Sequence, residues 1–296
     1  MNVEVSLSNK RKVQIIFIMV IILLTIFVLV NLGMSFNYLT VNKFTVKISD
    51  MNSNTIHAIV ISDLHDHKFG QNNIRLANKI QELQPDIIFM DGDMLNEDSE
   101  NAEVPCNLIR QLKNIAPIYF ALGNHELSYI DNYHPNLIEQ LEEAGAVVLD
   151  KEYADIDING VQIRLGGMYD YALGLDGNDT ALAAPTDVLS FLEDYQNTDR
   201  IKIMLSHRPE SFVLGDASKT WNIDLIISGH IHGGQVVLPF VGGLYGGDQG
   251  WFPEYVHGIY DKDNFQIFVT SGLSSHRQLL PRFNNLPEIA VLNIEV

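Results

Sequence analysis

Five short apolar segments, each ending abruptly at polar side chains, constrain the fold of this 296-residue chain more than any other feature. They read AIVISDLHD (58–66), DIIFMDGDM (86–94), PIYFALGNHE (117–126), IKIMLSHRPE (201–210) and DLIISGHIHGG (224–234). Their length and their content of β-branched residues are typical of buried strands. We therefore predict a strand in each segment, with histidine, aspartate or asparagine at its carboxyl end.

Helix-like segments separate these predicted strands. Apolar residues recur every three or four positions over residues 73–83, 104–112, 134–144 and 186–195. Such alternation of strands and helices predicts an α/β sheet covered by helices. Because ligands bind beyond the carboxyl ends of the strands in such sheets, we expect the polar side chains to meet at one rim of the sheet.

The polar residues at the strand ends are of metal-binding types. They are Asp63, His65, Asp93, Asn124, His207, His230 and His232, with His125 beside them. Taken singly, each motif also fits an ordinary turn, a helix cap or a surface histidine. Their repetition on one sheet favours a shared metal centre, where His230 and His232 would share a face if they continue a strand.

These nitrogen and oxygen donors exceed what one tetrahedral zinc ion needs, so we predict two divalent ions. Manganese, iron or zinc suits a mixture of carboxylate, imidazole and amide, whereas calcium is disfavoured by the histidines. Two such ions about 3.5 to 4 Å apart stabilise both the attacking and the departing oxygen in phosphate-ester hydrolysis, and a metal-bound water becomes hydroxide near neutral pH. The donor set therefore favours a phosphohydrolase.

The motifs also carry a resemblance to a known family. In order and spacing, DLH, GD at Gly92 and Asp93, GNHE, the lone His207 and GHIH resemble the signature of the calcineurin-like metallophosphoesterases. The tail to Val296 is similar to that of membrane-anchored bacterial members. The resemblance implies an α/β fold of two packed mixed β-sheets flanked by helices, here with an N-terminal transmembrane helix, and the activity of a metal-dependent phosphoric ester hydrolase.

The resemblance implies a role for each ligand. One ion would be held by Asp63, His65 and His232. The other would be held by Asn124, His207 and His230. Asp93 would bridge the two ions.

Residues next to the ligands acquire further roles by the same resemblance. His125 would act on the substrate as a catalytic group rather than bind metal, by stabilising the phosphoryl oxygens or by protonating the leaving group. Glu126 or a nearby acid would orient His125. Asn96 stands where the second motif often has aspartate, and we place it with Glu126 just outside the ligands. His67 and Arg208 are candidate substrate contacts.

The N-terminal region contains a second strong signal. Residues 15–34, IIFIMVIILLTIFVLVNLGM, have only Thr25 and Asn31 as polar members. About twenty apolar residues cross a bilayer core as a helix, so we predict a single transmembrane anchor at residues 13–34. A signal peptide cleaved near Ser35 is the alternative. The basic residues 10–12 favour an N terminus in the cytoplasm and a catalytic domain outside the cell membrane.

We accordingly divide the chain into a cytoplasmic flank (1–12), an anchor (13–34), a linker or first strand (35–55) and a metallophosphoesterase domain (56–296). With 19 basic and 37 acidic side chains, the net charge of −18 disfavours nucleic acid as a partner. Attraction of an anionic substrate must then be local, from the metals with Arg208, Arg277 or Arg282. The single Cys106 excludes an internal disulfide.

These observations predict a membrane-anchored, dinuclear metal-dependent phosphohydrolase that acts by attack of metal-bound hydroxide. A site held near the headgroups favours membrane-borne substrates over diffusible ones. Together with the resemblance, this favours a phosphodiesterase or pyrophosphatase acting on lipid-linked esters, such as UDP-diacylglucosamine-like molecules. The alternatives are a phosphomonoesterase or protein phosphatase with the same site, and a noncatalytic membrane-tethered binding module.

Overall fold

The structure is a computed structural model that describes residues 2–48, 54–132, 134–175, 177–275 and 279–296, with side chains from residue 11 onward. The described helices are α1 (Asn2–Asn37), α2 (Ile74–Leu83), α3 (Glu103–Leu112), α4 (Asn124–Asp131), α5 (Leu137–Ala144), α6 (Thr186–Tyr195), α7 (Glu210–Val213) and α8 (Ala217–Thr220). The described strands are β1 (Thr40–Lys47), β2 (Thr55–Ile61), β3 (Ile87–Asp91), β4 (Ile118–Ala121), β5 (Val147–Leu149), β6 (Glu152–Ile158), β7 (Val161–Gly167), β8 (Ile201–Leu205), β9 (Leu225–Ser228), β10 (Val237–Leu238), β11 (Gly242–Gly243), β12 (Gly258–Lys262), β13 (Phe265–Val269) and β14 (Glu288–Glu295).

Two six-stranded mixed sheets form the centre of the domain. The first sheet has the order β1-β14-β2-β3-β4-β5, and the second has the order β12-β13-β9-β8-β7-β6. In the first sheet only the β14–β2 pair is antiparallel, whereas in the second both outermost pairs are antiparallel. The expected fold of two packed mixed β-sheets with helices on their outer faces is therefore confirmed.

The central strands are mostly apolar because both of their faces are largely buried. In β2, Ala58 and Val60 belong to the core between the two sheets, whereas Ile59 and Ile61 pack under the helices of the first sheet. The alternation follows from the two-residue period of a strand. The polar positions of β2, Thr55 and His57, lie at its exposed beginning, and from Ala58 to Ile61 every side chain is apolar and buried.

The N-terminal helix continues three residues beyond the predicted anchor and almost reaches the first strand. Its segment Arg11–Asn37 has a mean hydropathy of 3.2 in its most apolar window, and that window is 0 % buried among the described residues. By length and composition this helix could cross a membrane, although a signal sequence passes the same test. Only Tyr38 and Leu39 separate α1 from β1, which pairs in parallel with β14 from Thr40–Glu288 to Lys47–Glu295.

The predicted linker at 35–55 is therefore largely part of folded elements. The first strand expected within residues 35–55 lies at Thr40–Lys47, on the edge of the first sheet. Of the two possibilities predicted for this segment, a linker or a first strand, residues 40–47 form the strand, and it nearly adjoins the end of the helix. Residues 49–53 lie outside the described part of the chain.

Candidate metal centre

The five motifs follow the carboxyl ends of strands that belong to both sheets. The DLH, GD and GNHE motifs follow β2, β3 and β4 of the first sheet. His207 and the GHIH motif follow β8 and β9 of the second sheet. The prediction of one rim on one sheet is thus wrong: the site is assembled where the corresponding rims of two packed sheets meet.

The candidate ligands gather in overlapping groups. In one group, one nitrogen or oxygen atom from each of Asp63, His65 and His232 lies within 4.8 Å of the others. The same limit holds for the group of Asp93, His207 and His230, and for that of His65, Asp93 and His125. The first two groups coincide with the carboxylate and imidazole residues that the sequence assigned to separate ions. Asn124 begins α4, directly after Gly123.

Asp93 lies between the two groups. Its Oδ2 atom is 3.2 Å from Nε2 of His207 and 3.8 Å from Nε2 of His65, one histidine from each group. Burial alone would raise the pKa of Asp93, but the neighbouring imidazoles outweigh it and hold this pKa well below its usual range. The carboxyl group is therefore charged, which is the form that can bind a cation.

Most ligands on these turns have an unusual backbone conformation. Asp63, His65, Asp93, His230 and His232 all have φ between 47° and 66°. This left-handed region is uncommon for residues other than glycine, and such strain is concentrated at functional sites. It also corrects the expectation that His230 and His232 continue a strand: β9 ends at Ser228, and the chain then turns so that each imidazole joins a different group.

Hydrogen bonds orient three of the imidazoles. The Nδ1 atoms of His65, His207 and His232 lie 3.1 Å from Asn96 Oδ1, 2.6 Å from the Asp91 carbonyl and 3.0 Å from the Ser274 carbonyl, respectively. Since a carbonyl oxygen only accepts, Nδ1 is the donor and the Nε2 lone pair remains for a metal. Burial lowers the pKa of His65 and of His232 to about 3, which keeps both rings neutral.

Asn96 therefore supports His65 directly. Besides accepting from the ring, its Nδ2 donates to the His65 carbonyl at 3.2 Å and to Asp66 Oδ2 at 3.0 Å. An aspartate at this position would lack the amide donor. Asparagine in place of the usual aspartate therefore removes a negative charge and adds a hydrogen-bond donor to the loop that carries His65.

Glu126 is fully buried and connects two motif loops. Its carboxylate accepts hydrogen bonds from the backbone N–H groups of Gly123, Asp93 and Met94 at 2.8 to 2.9 Å. These contacts place Glu126 behind Asp93. The expectation that Glu126 orients the His125 ring is not what these bonds show: they fix the backbone that carries Asp93.

His125 is held by the loop after Asp93. The ring Nδ1 of His125 accepts a hydrogen bond from the backbone N–H of Glu97 at 3.0 Å. The backbone N–H of His125 donates to Asp93 Oδ1 at 2.9 Å. Because Nδ1 accepts in a neutral ring, the proton is on Nε2. That Nε2 atom is 3.9 Å from Asp93 Oδ2, so its N–H lies at the centre of the donor cluster.

The donor set fits divalent metal ions. The Oδ1 atoms of Asp63 and Asn124 are buried and have no hydrogen-bond partner among the described residues. Buried acceptors without partners are rare in proteins, and a bound cation accounts for both of them. A donor set of imidazoles and carboxylates without thiolate suits manganese, iron or zinc, as the composition of the motifs predicted.

Gly272 was missed by the sequence analysis although it touches a ligand. It has φ of 71°, and a Cβ added there would lie 2.6 Å from Asp63 Oδ2. Glycine is therefore required both by the backbone and by the close approach. No motif marks this residue, which lies about 200 positions after Asp63 in the chain.

Replacement of Gly272 by alanine is expected to displace Asp63, to weaken metal affinity by about 10- to 100-fold, and to destabilise the fold by about 1–3 kcal/mol. Metal titration and thermal unfolding measure the two effects. Gly160→Ala is the matched control, because Gly160 has φ of 84° but nothing lies within 4 Å of its added Cβ. Equal metal affinity in the two variants would contradict the assignment.

The predicted substrate contacts lie at the edge of the site. The Arg208 guanidinium lies over the rings of Tyr169 and Tyr171, at 4.4 and 4.7 Å, and donates to the Tyr169 hydroxyl. Its Nε atom is 3.2 Å from Oδ2 of Asp248, which is also 3.9 Å from Nε2 of His230. Asp248, from the glycine-rich segment after the GHIH motif, is a second residue that the sequence analysis missed.

Two further predicted residues have structural partners. The His67 ring lies 4.4 Å from the rings of both Phe36 of α1 and Phe69. Arg282 is 7 % exposed and donates to the carbonyls of Ser271 and Ser274 at 2.8 and 3.1 Å. It therefore stabilises the loop that orients His232. Arg277 lies outside the described residues.

Carboxylates, imidazoles and an amide lie together where the rims of the two sheets meet. Such a site is typical of metal-dependent hydrolases. Residues 56–234 match the family model of the calcineurin-like phosphoesterases, and the chain belongs to that family. The predicted family and the predicted class of enzyme, a metal-dependent phosphoric ester hydrolase, are thereby confirmed.

Similar proteins are found in several bacteria. An uncharacterised metallophosphoesterase of Campylobacter jejuni is 26 % identical over 286 residues, which cover 95 % of this chain and 70 % of that protein. The phosphodiesterase YaeI of Escherichia coli is 28 % identical over 241 residues, 80 % of this chain and 81 % of YaeI. The phosphopantetheinyl hydrolase of Mycobacterium tuberculosis is 16 % identical, with a TM-score of 0.45, over 73 % of this chain and 89 % of that structure.

Proposed function

We propose that this chain is a membrane-attached, dinuclear metal-dependent phosphodiesterase or pyrophosphatase whose substrates are lipid-linked phosphate esters. The observation that carries the metal chemistry is the position of Asp93, whose Oδ2 lies within 3.8 Å of one histidine from each of two donor groups. The name of the similar E. coli protein, a phosphodiesterase, supports diester rather than monoester hydrolysis.

In this proposal each group of ligands holds one ion. The first set is Asp63, His65 and His232, and the second set is Asn124, His207 and His230, with Asp93 shared by both. When bound, such ions polarise the phosphoryl oxygens and lower the pKa of a coordinated water. Asn96 and the Asp91 and Ser274 carbonyls orient the imidazoles from outside these sets.

His125 supplies a proton at the reacting phosphate. The Glu97 N–H donates to Nδ1, and this bond keeps the proton of a neutral ring on Nε2. From that atom His125 can donate to a phosphoryl oxygen or to the departing oxygen. Arg208, aligned by two tyrosines and by Asp248, attracts the substrate anion from the edge of the cluster.

Contacts between α1 and the site support a lipid-linked substrate. Asn31 of α1 accepts a hydrogen bond from the Asn284 N–H at 2.5 Å. The next residue, Asn285, donates through Nδ2 to the carbonyl of His232 at 2.7 Å. The metal site is thus connected to an apolar helix through two adjacent residues, and a helix in a bilayer would keep the site near the headgroups.

The proposal includes the orientation of the protein. Basic residues at the start of α1 favour a cytoplasmic N terminus and a catalytic domain outside the cell membrane. Protease added to intact cells then removes the domain. Digestion only after lysis would reverse the orientation, and a soluble domain that begins near Ser35 would indicate a cleaved signal sequence.

Hydrolysis by the full-length protein in vesicles tests the substrate class. We expect faster turnover of an acylated nucleotide-sugar diphosphate embedded in the vesicle than of the soluble nucleotide diphosphate sugar or an aryl monoester. Asp93→Ala, for which we expect almost no turnover, serves as the control. Preference for soluble monoesters would favour the phosphomonoesterase, release of phosphate from phosphopeptides the protein phosphatase, and metal binding without any hydrolysis the binding module.

A further inference from the structure

A short β-hairpin beside the metal site exposes apolar side chains to solvent. It consists of β10 and β11, paired from Val237–Gly243 to Leu238–Gly242. At its tip the side chains of Phe240 and Val241 are 108 % and 58 % exposed. Neither the metal centre nor the core of the domain uses these two residues, so their exposure requires another explanation.

The hairpin is connected to α1 through one neighbouring segment. The Val237 N–H donates to the Phe283 carbonyl at 3.0 Å, and the Phe283 N–H donates to the Gln235 carbonyl at 3.1 Å. The Phe283 ring in turn meets the ring of Phe27 of α1 edge to face, with centroids 6.2 Å apart. The base of the hairpin therefore lies beside the C-terminal half of the apolar helix.

The position of Phe27 along α1 sets the depth of this contact. The apolar run ends at Met34, and at 1.5 Å per residue Phe27 lies about 10 Å before that end. Asn31, between these two residues, binds the Asn284 N–H, so the alignment is fixed by a hydrogen bond as well as by packing. If α1 crosses a bilayer, Phe283 and the base of the hairpin lie below the level of the headgroups.

The composition of the hairpin suits that depth. Residues 235–247, QVVLPFVGGLYGG, contain no charged side chain, although the whole chain carries a net charge of −18. Leu279, four positions before Phe283 in the chain, is also apolar and 66 % exposed. A strongly acidic protein gains little attraction from anionic lipids, and insertion of apolar side chains is the remaining route to a second membrane contact.

We propose that the hairpin tip, Phe240 and Val241, inserts into the lipid bilayer beside α1 and forms a second membrane contact. The inference rests on the proposed membrane attachment by α1 and adds to it an interaction surface of the catalytic domain. Two contacts at different points of the domain would fix its tilt, and with it the direction in which the metal site faces the membrane.

Depth-dependent quenching in the full-length protein tests this surface. In a Cys106→Ser background, which removes the only cysteine, Phe240→Cys carries an environment-sensitive fluorophore. Val20→Cys in α1 is the reference for membrane insertion. Leu182→Cys, at a position 71 % exposed just before α6, is the control for an exposed apolar residue outside the hairpin. Unchanged melting temperatures show that the variants fold.

The vesicles contain a nitroxide lipid with its quencher near the headgroup end of the acyl chain. We expect the label at 240 to lose about half or more of its fluorescence, because apolar groups inserted at an interface lie about 5–10 Å inside it. The label at 182 should keep its signal. Quenching at 20 without quenching at 240 overturns the hairpin contact alone, whereas no quenching at 20 overturns the membrane attachment on which it rests.

Discussion

Asp93→Ala is expected to reduce turnover by about 10³-fold or more, because stabilisation of transition-state charge by metal ions is worth several kcal/mol. The carboxylate is buried and lies within 4 Å of imidazoles from both ligand groups. In the proposed dinuclear site, its removal leaves two cations without the negative charge between them. We therefore expect both ions to bind more weakly, measured by metal analysis of the purified protein alongside hydrolysis of an aryl phosphodiester.

Asp93→Asn separates charge from shape at the same position. An asparagine keeps one oxygen that can accept the hydrogen bond from the backbone N–H of His125, which lies 2.9 Å from Oδ1 of the native Asp93. The asparagine side chain carries no charge. We expect metal binding and activity to be reduced in both variants, with the backbone better preserved in Asp93→Asn. Retention of two ions with near-normal turnover in Asp93→Ala would refute the bridging role.

His125→Ala is expected to leave metal binding unchanged and to lower kcat by about 10²- to 10⁴-fold, the usual contribution of a positioned general acid. The Nε2 proton, fixed by the bond from Glu97 to Nδ1, is the group that this change removes. The deficit should be smaller for aryl esters than for alkyl esters, because a good leaving group departs without protonation. Steady-state kinetics with the two ester types measures this difference.

His57→Ala provides the matched control for a histidine outside the site. The exposed His57 ring lies 2.8 Å from Asn293 Oδ1 at the far end of β2, so its removal should not alter kcat. Loss of metal together with activity in His125→Ala would identify His125 as a ligand instead of a proton donor. An equal deficit for aryl and alkyl esters would point to stabilisation of the phosphoryl oxygens.

Much of the local structure could be predicted because it depends on local periodicity. The helices expected at 104–112 and 186–195 lie at Glu103–Leu112 and Thr186–Tyr195. The helix expected from residue 134 instead begins at Leu137. Its apolar spacing extends further than the helix itself, and spacing alone does not mark where the first backbone hydrogen bond forms.

The types of metal donor were also readable from the sequence, whereas their supports were not. A histidine or aspartate that directly follows an apolar run is recognisable as a candidate ligand from its type and position alone. The carbonyls that orient His207 and His232 belong to Asp91 and Ser274, and a residue of any type could supply such a backbone carbonyl. Glu126 was noticed because it adjoins a motif, but its backbone partners in the Asp93 loop were not predictable from that position.

The sequence by itself determined the five strands that precede the motifs, most helices, the donor chemistry and an apolar N-terminal helix, because each is set by residue type and spacing within a short segment. Only the tertiary structure decided that the donors come from two sheets, that Gly272 must approach Asp63, and that Asn31 binds the Asn284 N–H across 253 positions. Contacts between distant segments depend on how sheets and helices pack, and no local pattern of side chains specifies that packing.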